Sequence, residues 1–318
     1  MNSKDYWQKR EKLWQEQQIK DDKIRMAEIK SRLIYARDAI QKEIDAQWQR
    51  FSDGQRITMG EAVKLSAESD TQAFARKAKE YVKTKDFSDE ANRQLKLYNL
   101  TMRVNRLELL RANIGLEMIA AFNDLDKYIY KELTKAGLAE IKRQAGILEM
   151  TISEKGYLSM VDKIVSSSFR VTGFPTFSEN LWMYQNELKA DLDKLLVRSI
   201  TQGINPRQLA PELKKFLTDE GRENAKFNTQ RLMVTETTRV QGEIQKGSYI
   251  DASIEKYGWV TEPNACPTCK AIAADGPYLV TDMSAGTNMI PAHPFCRCST
   301  YPVVDDEAFQ KSLARRGL

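Results

Sequence analysis

Cys266-Pro267-Thr268-Cys269 and His293-Pro294-Phe295-Cys296-Arg297-Cys298 hold all four cysteines and the single histidine of this 318-residue chain. Such clustering points to a shared task. Two thiols with two residues between them can turn both sulfurs onto one ion, and Pro267 helps to set the tight turn. The second run supplies three more candidates, so five ligands compete for the four positions of a tetrahedral zinc. The preferred set is Cys266, Cys269 and Cys296, completed by either His293 or Cys298, around a zinc that is structural rather than catalytic. Two other readings stay open. The thiols can be reduced and packed in a small β core, since free cysteine is a common buried residue, or they can be disulfides. The polar, aromatic start Met1-Asn2-Ser3-Lys4-Asp5-Tyr6-Trp7 has no signal-peptide core and does not mark an oxidising compartment. Pro294 disfavours helix before it and places His293 on a loop or extended segment.

Around the cysteines the pattern is that of a small sheet. Tyr257-Gly258-Trp259-Val260, Tyr278-Leu279-Val280 and Thr300-Tyr301-Pro302-Val303 read as short strands. The first cysteine pair follows the first strand and the last pair precedes the third. A shared ion would staple loops of a sheet too small to bury enough apolar surface alone. Before the sheet, helices are predicted over about 179–202, from Asn205-Pro206 onward, and from about 223 into the 240s. The last of these carries Arg231, Glu236 and Arg239. Glu236 and Arg239 are three apart and share a face, and the three residues read as a salt-bridge network that fixes helix packing. Gln241-Gly242-Glu243 resembles the Gln-x-Glu of some ADP-ribosyltransferases, but it stands alone inside a helical pattern.

The first half reads as a bundle of long helices. One helix is predicted from about 4 to 53, with Met26, Ile29, Leu33, Ala36 and Ile40 at alternating steps of three and four, as in a helix-pair seam. Its opposite face is rich in Lys, Arg, Glu and Gln and reads as solvated. Ser52-Asp53-Gly54 breaks it. Two shorter helices are expected near 59–69 and 71–84. A second long helix carries Leu97, Leu100, Val104, Leu107, Ile114 and Met118, and a further one carries Phe122 to Leu133 and ends near Gly137. Between about 150 and 180 the periodicity weakens into a loop-rich join. The expected fold is therefore mainly α: a long-helix bundle over 1–150, an α+β domain over 151–304 ending in a small cysteine-stapled β-sheet, and a charged tail over 305–318.

Charge and composition narrow the partners. Forty-nine basic residues against 44 acidic ones leave a net charge of +5, which permits weak, sequence-independent contact with DNA and does not demand it. Mean hydropathy is −0.55, and no apolar run approaches a membrane span. An enzyme is not expected. A lone histidine cannot be both metal ligand and general base, and the chain has neither a Gly-rich phosphate loop with its lysine nor a Gly-x-Ser-x-Gly elbow.

Arg231-Leu232-Met233-Val234-Thr235-Glu236-Thr237-Thr238-Arg239, followed by Trp259, Cys266-x-x-Cys269 and His293-Pro-x-Cys296-Arg-Cys298, resembles the Mu F-like family of phage head morphogenesis proteins. The resemblance covers roughly residues 155–303. It implies a minor capsid protein of a tailed phage, associated with the portal protein during assembly in the host cytoplasm and enclosed in the virion, with a part in DNA packaging or delivery. Scaffold and major capsid proteins are further candidate partners. The alternative reading is a metal-stapled DNA-binding module, and behind it a zinc-dependent nuclease.

Overall fold

The computed structural model describes residues 2–52, 76–81, 83, 88–89, 106–148, 154–167, 175–201 and 221–315. Helix α1 spans Ser3–Ser52, α2 Arg106–Leu148, α3 Glu154–Val165, α4 Phe177–Thr201 and α5 Gly221–Asp251. Strand β1 (Lys256–Val260), helix α6 (Pro267–Asp275), strand β2 (Tyr278–Leu279), strand β3 (Ser299–Val303) and helix α7 (Asp306–Arg315) complete the order. The fold is mainly α, with one small antiparallel sheet next to the cysteines, as expected. Its strand order is β2-β1-β3, with Lys256 opposite both Leu279 and Val303. Gly258 pairs with Tyr301, and a Cβ there would stand 2.3 Å from the Tyr301 ring, so only glycine lets that ring cross the strand.

The chain packs as two compact units. One gathers Glu28–Tyr128 and Ser178–Thr229. Here the seam of α1 is apolar: Ile29, Leu33, Ala36 and Ile40 are buried, as are Ile114, Met118, Phe122 and Leu125 of α2. The two helices run side by side, since Arg32 pairs with Asp124, and Lys77 holds Glu43 at 2.5 Å and Glu117 at 2.9 Å. The other unit gathers Met1–Ala27, Ile129–Phe177 and Gln230–Leu318, and it contains the sheet and the cysteines. In this unit the seam of α1 continues toward the N-terminus at the same spacing but in polar residues. Glu11, Gln15, Gln18, Asp22 and Arg25 are all buried.

Two expectations are corrected. The helix predicted to end near Gly137 does not end there, because α2 is continuous to Leu148. Gly137 is a packing residue, not a terminator: a Cβ on it would stand 2.8 Å from Val161 of α3 and 3.1 Å from Val240 of α5. The loop-rich join contains α3, a short amphipathic helix whose Val161 and Val165 are buried in that contact region. The charged tail forms α7, whose Phe309 packs against Tyr6 and Trp7 at 5.1 and 6.4 Å between ring centres. The helices expected near 59–69 and 71–84 lie outside the described residues, except 76–81 and 83, which are helical. Leu97, Leu100, Val104 and the helix from Asn205 also lie outside them.

Gly137 and Gly146 sit in one helix and should answer substitution oppositely. Gly137→Leu forces side chains into Val161 and Val240 and should lower stability by about 1–3 kcal/mol. Gly146, where a Cβ meets nothing within 4 Å, should gain up to about 1 kcal/mol on replacement by alanine. Urea unfolding followed by circular dichroism checks both.

Candidate metal centre

Cys266 is not on a free turn. It is the N-cap of α6, with Pro267 in the first turn, and its sulfur accepts the Cys269 N–H at 3.4 Å. The helix start therefore does what the tight turn was expected to do, setting Cys266 and Cys269 side by side. On the other side, Phe295 has φ 63°, a left-handed conformation that costs a non-glycine residue about 1–2 kcal/mol. That kink lies between His293 and Cys296, and the Cys296 N–H reaches back to the His293 carbonyl at 3.2 Å.

The ligand atoms converge. His293 Nε2 lies 3.3 Å from the Cys266 sulfur and 3.2 Å from that of Cys269, and the Cys269 and Cys296 sulfurs are 3.8 Å apart. Two thiolates on one tetrahedral zinc, with bonds of about 2.3 Å, stand about 3.8 Å apart. The five atoms fall into two groups of three, Cys266–Cys269–His293 and Cys269–Cys296–Cys298, each within 4.8 Å, and Cys269 belongs to both. His293 Nδ1 lies 2.7 Å from the Pro294 carbonyl, which only accepts. A proton on Nδ1 satisfies that carbonyl, and in the neutral ring it turns the Nε2 lone pair to the thiols, the orientation a metal-ligating histidine needs. The thiols also polarise one another. Cys269 and Cys298 hydrogen-bond Cys296 and hold it well below the usual thiol range, the Cys269 N–H lowers Cys266, and Cys269 itself is pushed up by Cys296. This soft set can hold a metal ion, and Trp259, Ala265 and Ile290 close it in.

Helix α5 clamps the loop that carries the second ligand run. The Thr235 hydroxyl accepts the Phe295 N–H at 3.2 Å and donates to the Arg231 carbonyl. The Thr238 hydroxyl donates to the Cys296 carbonyl at 2.8 Å and accepts from Arg297 at 2.7 Å. Gly242 lets the helix approach, since a Cβ there would stand 2.4 Å from the Ile290 carbonyl. That contact, and the 2.9 Å hydrogen bond from Gln241 to Gln18, give the Gln241-Gly242-Glu243 run a packing explanation. Glu236 and Arg239 pair at 2.7 Å, both buried, and Arg239 also donates to the Ile164 carbonyl at 2.9 Å in the last turn of α3. The backbone carbonyl of Arg231, the third residue expected in this network, accepts the Thr235 hydroxyl.

Arg297, between two cysteines, is buried and donates through two nitrogens to Asp22 of α1. Burial pulls its guanidinium below the usual range while Asp22 pulls it back. Glu262 accepts the Arg297 N–H at 3.1 Å, and its carboxyl is raised by burial, with that bond working against the rise. Two residues on from Arg297, Ser299 donates to Glu11, which also pairs with Arg143, and Arg143 holds Glu140. Burial pushes the Glu11 carboxyl up even with Arg143 beside it. Burial works against the Arg143 cation too, but Glu140 and Glu11 outweigh it and hold it above its usual range. Asp22, Glu11 and Glu262 were not among the sequence candidates. Asp22 and Glu11 had one available signal, their three-and-four spacing in line with Ile29.

Thr238→Val should separate hydroxyl from shape. It keeps the volume but leaves a carbonyl and a guanidinium N–H without a partner in a buried place, at a cost of about 1–3 kcal/mol. Thr235→Val, at a half-buried position, should cost less. Thermal unfolding midpoints rank the two, and equal values would remove Thr238 from its clamping role.

Residues 190–301 match the family model described as Phage Mu protein F like protein. No curated protein and no solved structure matches the chain. The matched span runs from within α4 to the middle of β3 and takes in the Thr235–Thr238 clamp, Trp259 and both ligand runs. From residue 190 to residue 301 this chain thus carries a phage Mu protein F like region.

Proposed function

We propose that the chain is a minor head protein of a tailed bacteriophage, bound to the portal protein while the head assembles and then enclosed in the virion, with a structural zinc and no catalytic activity. The observation that carries the reading is the contact between the two motif runs. Residues 231–239 and 293–298 are remote in sequence, yet they meet through Thr235 and Thr238, so the two motif runs pack as one element. A non-catalytic role is supported by His293, whose two ring nitrogens are engaged by the Pro294 carbonyl and by the thiols, leaving no general base on the only imidazole. Among the described residues no helix is long and apolar enough to cross a membrane. Contact with packaged DNA would be weak and salt-sensitive, carried by Lys and Arg.

The zinc would be held by Cys266, Cys269 and Cys296, with His293 or Cys298 as fourth ligand. Once bound, it supplies a cross-link between α6 and the loop before β3. Cys269 is common to both ligand groups, so Cys269→Ser should abolish metal binding. Replacement of the spare residue should leave one zinc per chain: Cys298→Ser keeps zinc if His293 is the fourth ligand, and His293→Ala keeps it if Cys298 is. Elemental analysis with thiol counting reads this directly. Zinc-free protein with all four thiols titrating would overturn the metal, and missing thiols would indicate disulfides.

The assembly role is tested by co-expression with the portal and capsid proteins of the same phage. The chain should co-sediment with portal-containing heads and not with shells assembled without portal. Retention on DNA at low salt, without portal association, would favour a nucleic-acid-binding module instead.

A further inference from the structure

We propose that metal at the cysteine cluster governs whether the first turns of α1, residues 3–27, stay docked on the sheet. This rests on the zinc reading above and concerns what the ion controls.

The loop from His293 to Cys298 has no regular secondary structure. It carries the left-handed Phe295 and is held by the thiol cluster and by the Thr235 and Thr238 hydroxyls. Arg297 is in this loop, between two candidate ligands. Its buried side chain provides the ion pair to Asp22, and Ser299, one residue past Cys298, provides the buried bond to Glu11. These two anchors of α1 thus hang from the stretch that the metal would fix, whereas Gln18 on Gln241 and Trp7 against Phe309 do not. A further bond, from Gln15 to the Val260 carbonyl at 3.0 Å, reaches the strand just before the first ligand run.

The docked segment has little apolar area to hold it otherwise. Its buried seam is Glu11, Gln15, Gln18, Asp22 and Arg25, with Trp7 as the large apolar residue. A buried ion pair repays its desolvation only when its geometry is held. When the loop is fixed, Arg297 meets Asp22 and that pair is satisfied. When the loop loosens, water reaches both charges, and the exposed pair contributes little. The seam is therefore poised between two states, and the ion biases them because it binds the ordered loop.

Hydrogen exchange with and without a chelator tests the inference on the full chain, after elemental analysis has counted zinc. In zinc-loaded protein, amides of residues 3–27 should exchange at least ten-fold faster once the metal is removed, while residues 28–43 of the same helix keep their rates. Asp22→Asn removes the charge partner without touching a ligand. It should bind zinc as the parent does, and residues 3–27 should exchange fast whether or not the chelator is present. Zinc bound and removed with unchanged exchange in 3–27 would overturn the coupling and leave the zinc reading intact. So would an Asp22→Asn protein that responds to the chelator as strongly as the parent. A chain that takes up no zinc would overturn the zinc reading, and this inference with it.

Discussion

Arg297 brings a charge that it cannot shed into a place that water does not reach, and the sheet-bearing unit is arranged so that the charge is met. Asp22 supplies the counter-ion from α1, Thr238 supplies an oxygen from α5, and Glu262 takes the backbone N–H. Removing any one of these leaves a buried polar group without its partner, and that penalty exceeds what the bond itself contributes. Helix α5 is brought close by Gly137 against α2 and by Gly242 against the loop at Ile290, where a side chain on either helix position would hold the backbones apart. The arginine and the glycines thus serve one end: close packing of long helices on a sheet of only three short strands.

The five candidate ligands are held by this frame from two directions. Helix α6 presents Cys266 and Cys269 from its first turn, and the kinked loop presents His293, Cys296 and Cys298 from the far side. Neither arm is rigid alone, because one is a helix of nine residues and the other has no regular hydrogen-bonding pattern. The cluster joins them, and α5 holds the second arm against the sheet. Trp259 from β1 lies in the same apolar cluster as Cys269, Cys296 and Cys298. The strand tryptophan, the helix threonines and the two cysteine runs are therefore parts of one packing problem.

Much of the architecture was legible in residues whose signal is local. The break at Ser52-Asp53-Gly54 placed the end of α1, and short runs of β-branched and aromatic residues placed all three strands close to where they lie. The two ligand runs were legible because cysteine and histidine are rare in this chain. What sequence did not convey depends on partners distant along the chain. Gly137 has the local signature of a helix end, and only the positions of Val161 and Val240 make it a contact. Helix α3 is short, and its apolar face is small. Glu11 and Asp22 are chemically indistinguishable from surface residues until Ser299 and Arg297 are placed beside them, because a buried polar seam has the periodicity of a core without its hydrophobicity.

The polar seam of α1 also bears on how the chain is made. Ser299 is 288 residues beyond Glu11, and Arg297 is 275 beyond Asp22. On a ribosome, the first turns of this helix emerge long before anything exists for them to pack on. An apolar seam in that position would spend most of synthesis as a sticky surface, prone to associate with neighbouring chains. Glutamate, glutamine, aspartate and arginine stay hydrated during that wait. They also tell the right surface from a wrong one, since an apolar patch accepts many partners whereas these side chains are satisfied only where their matching groups converge.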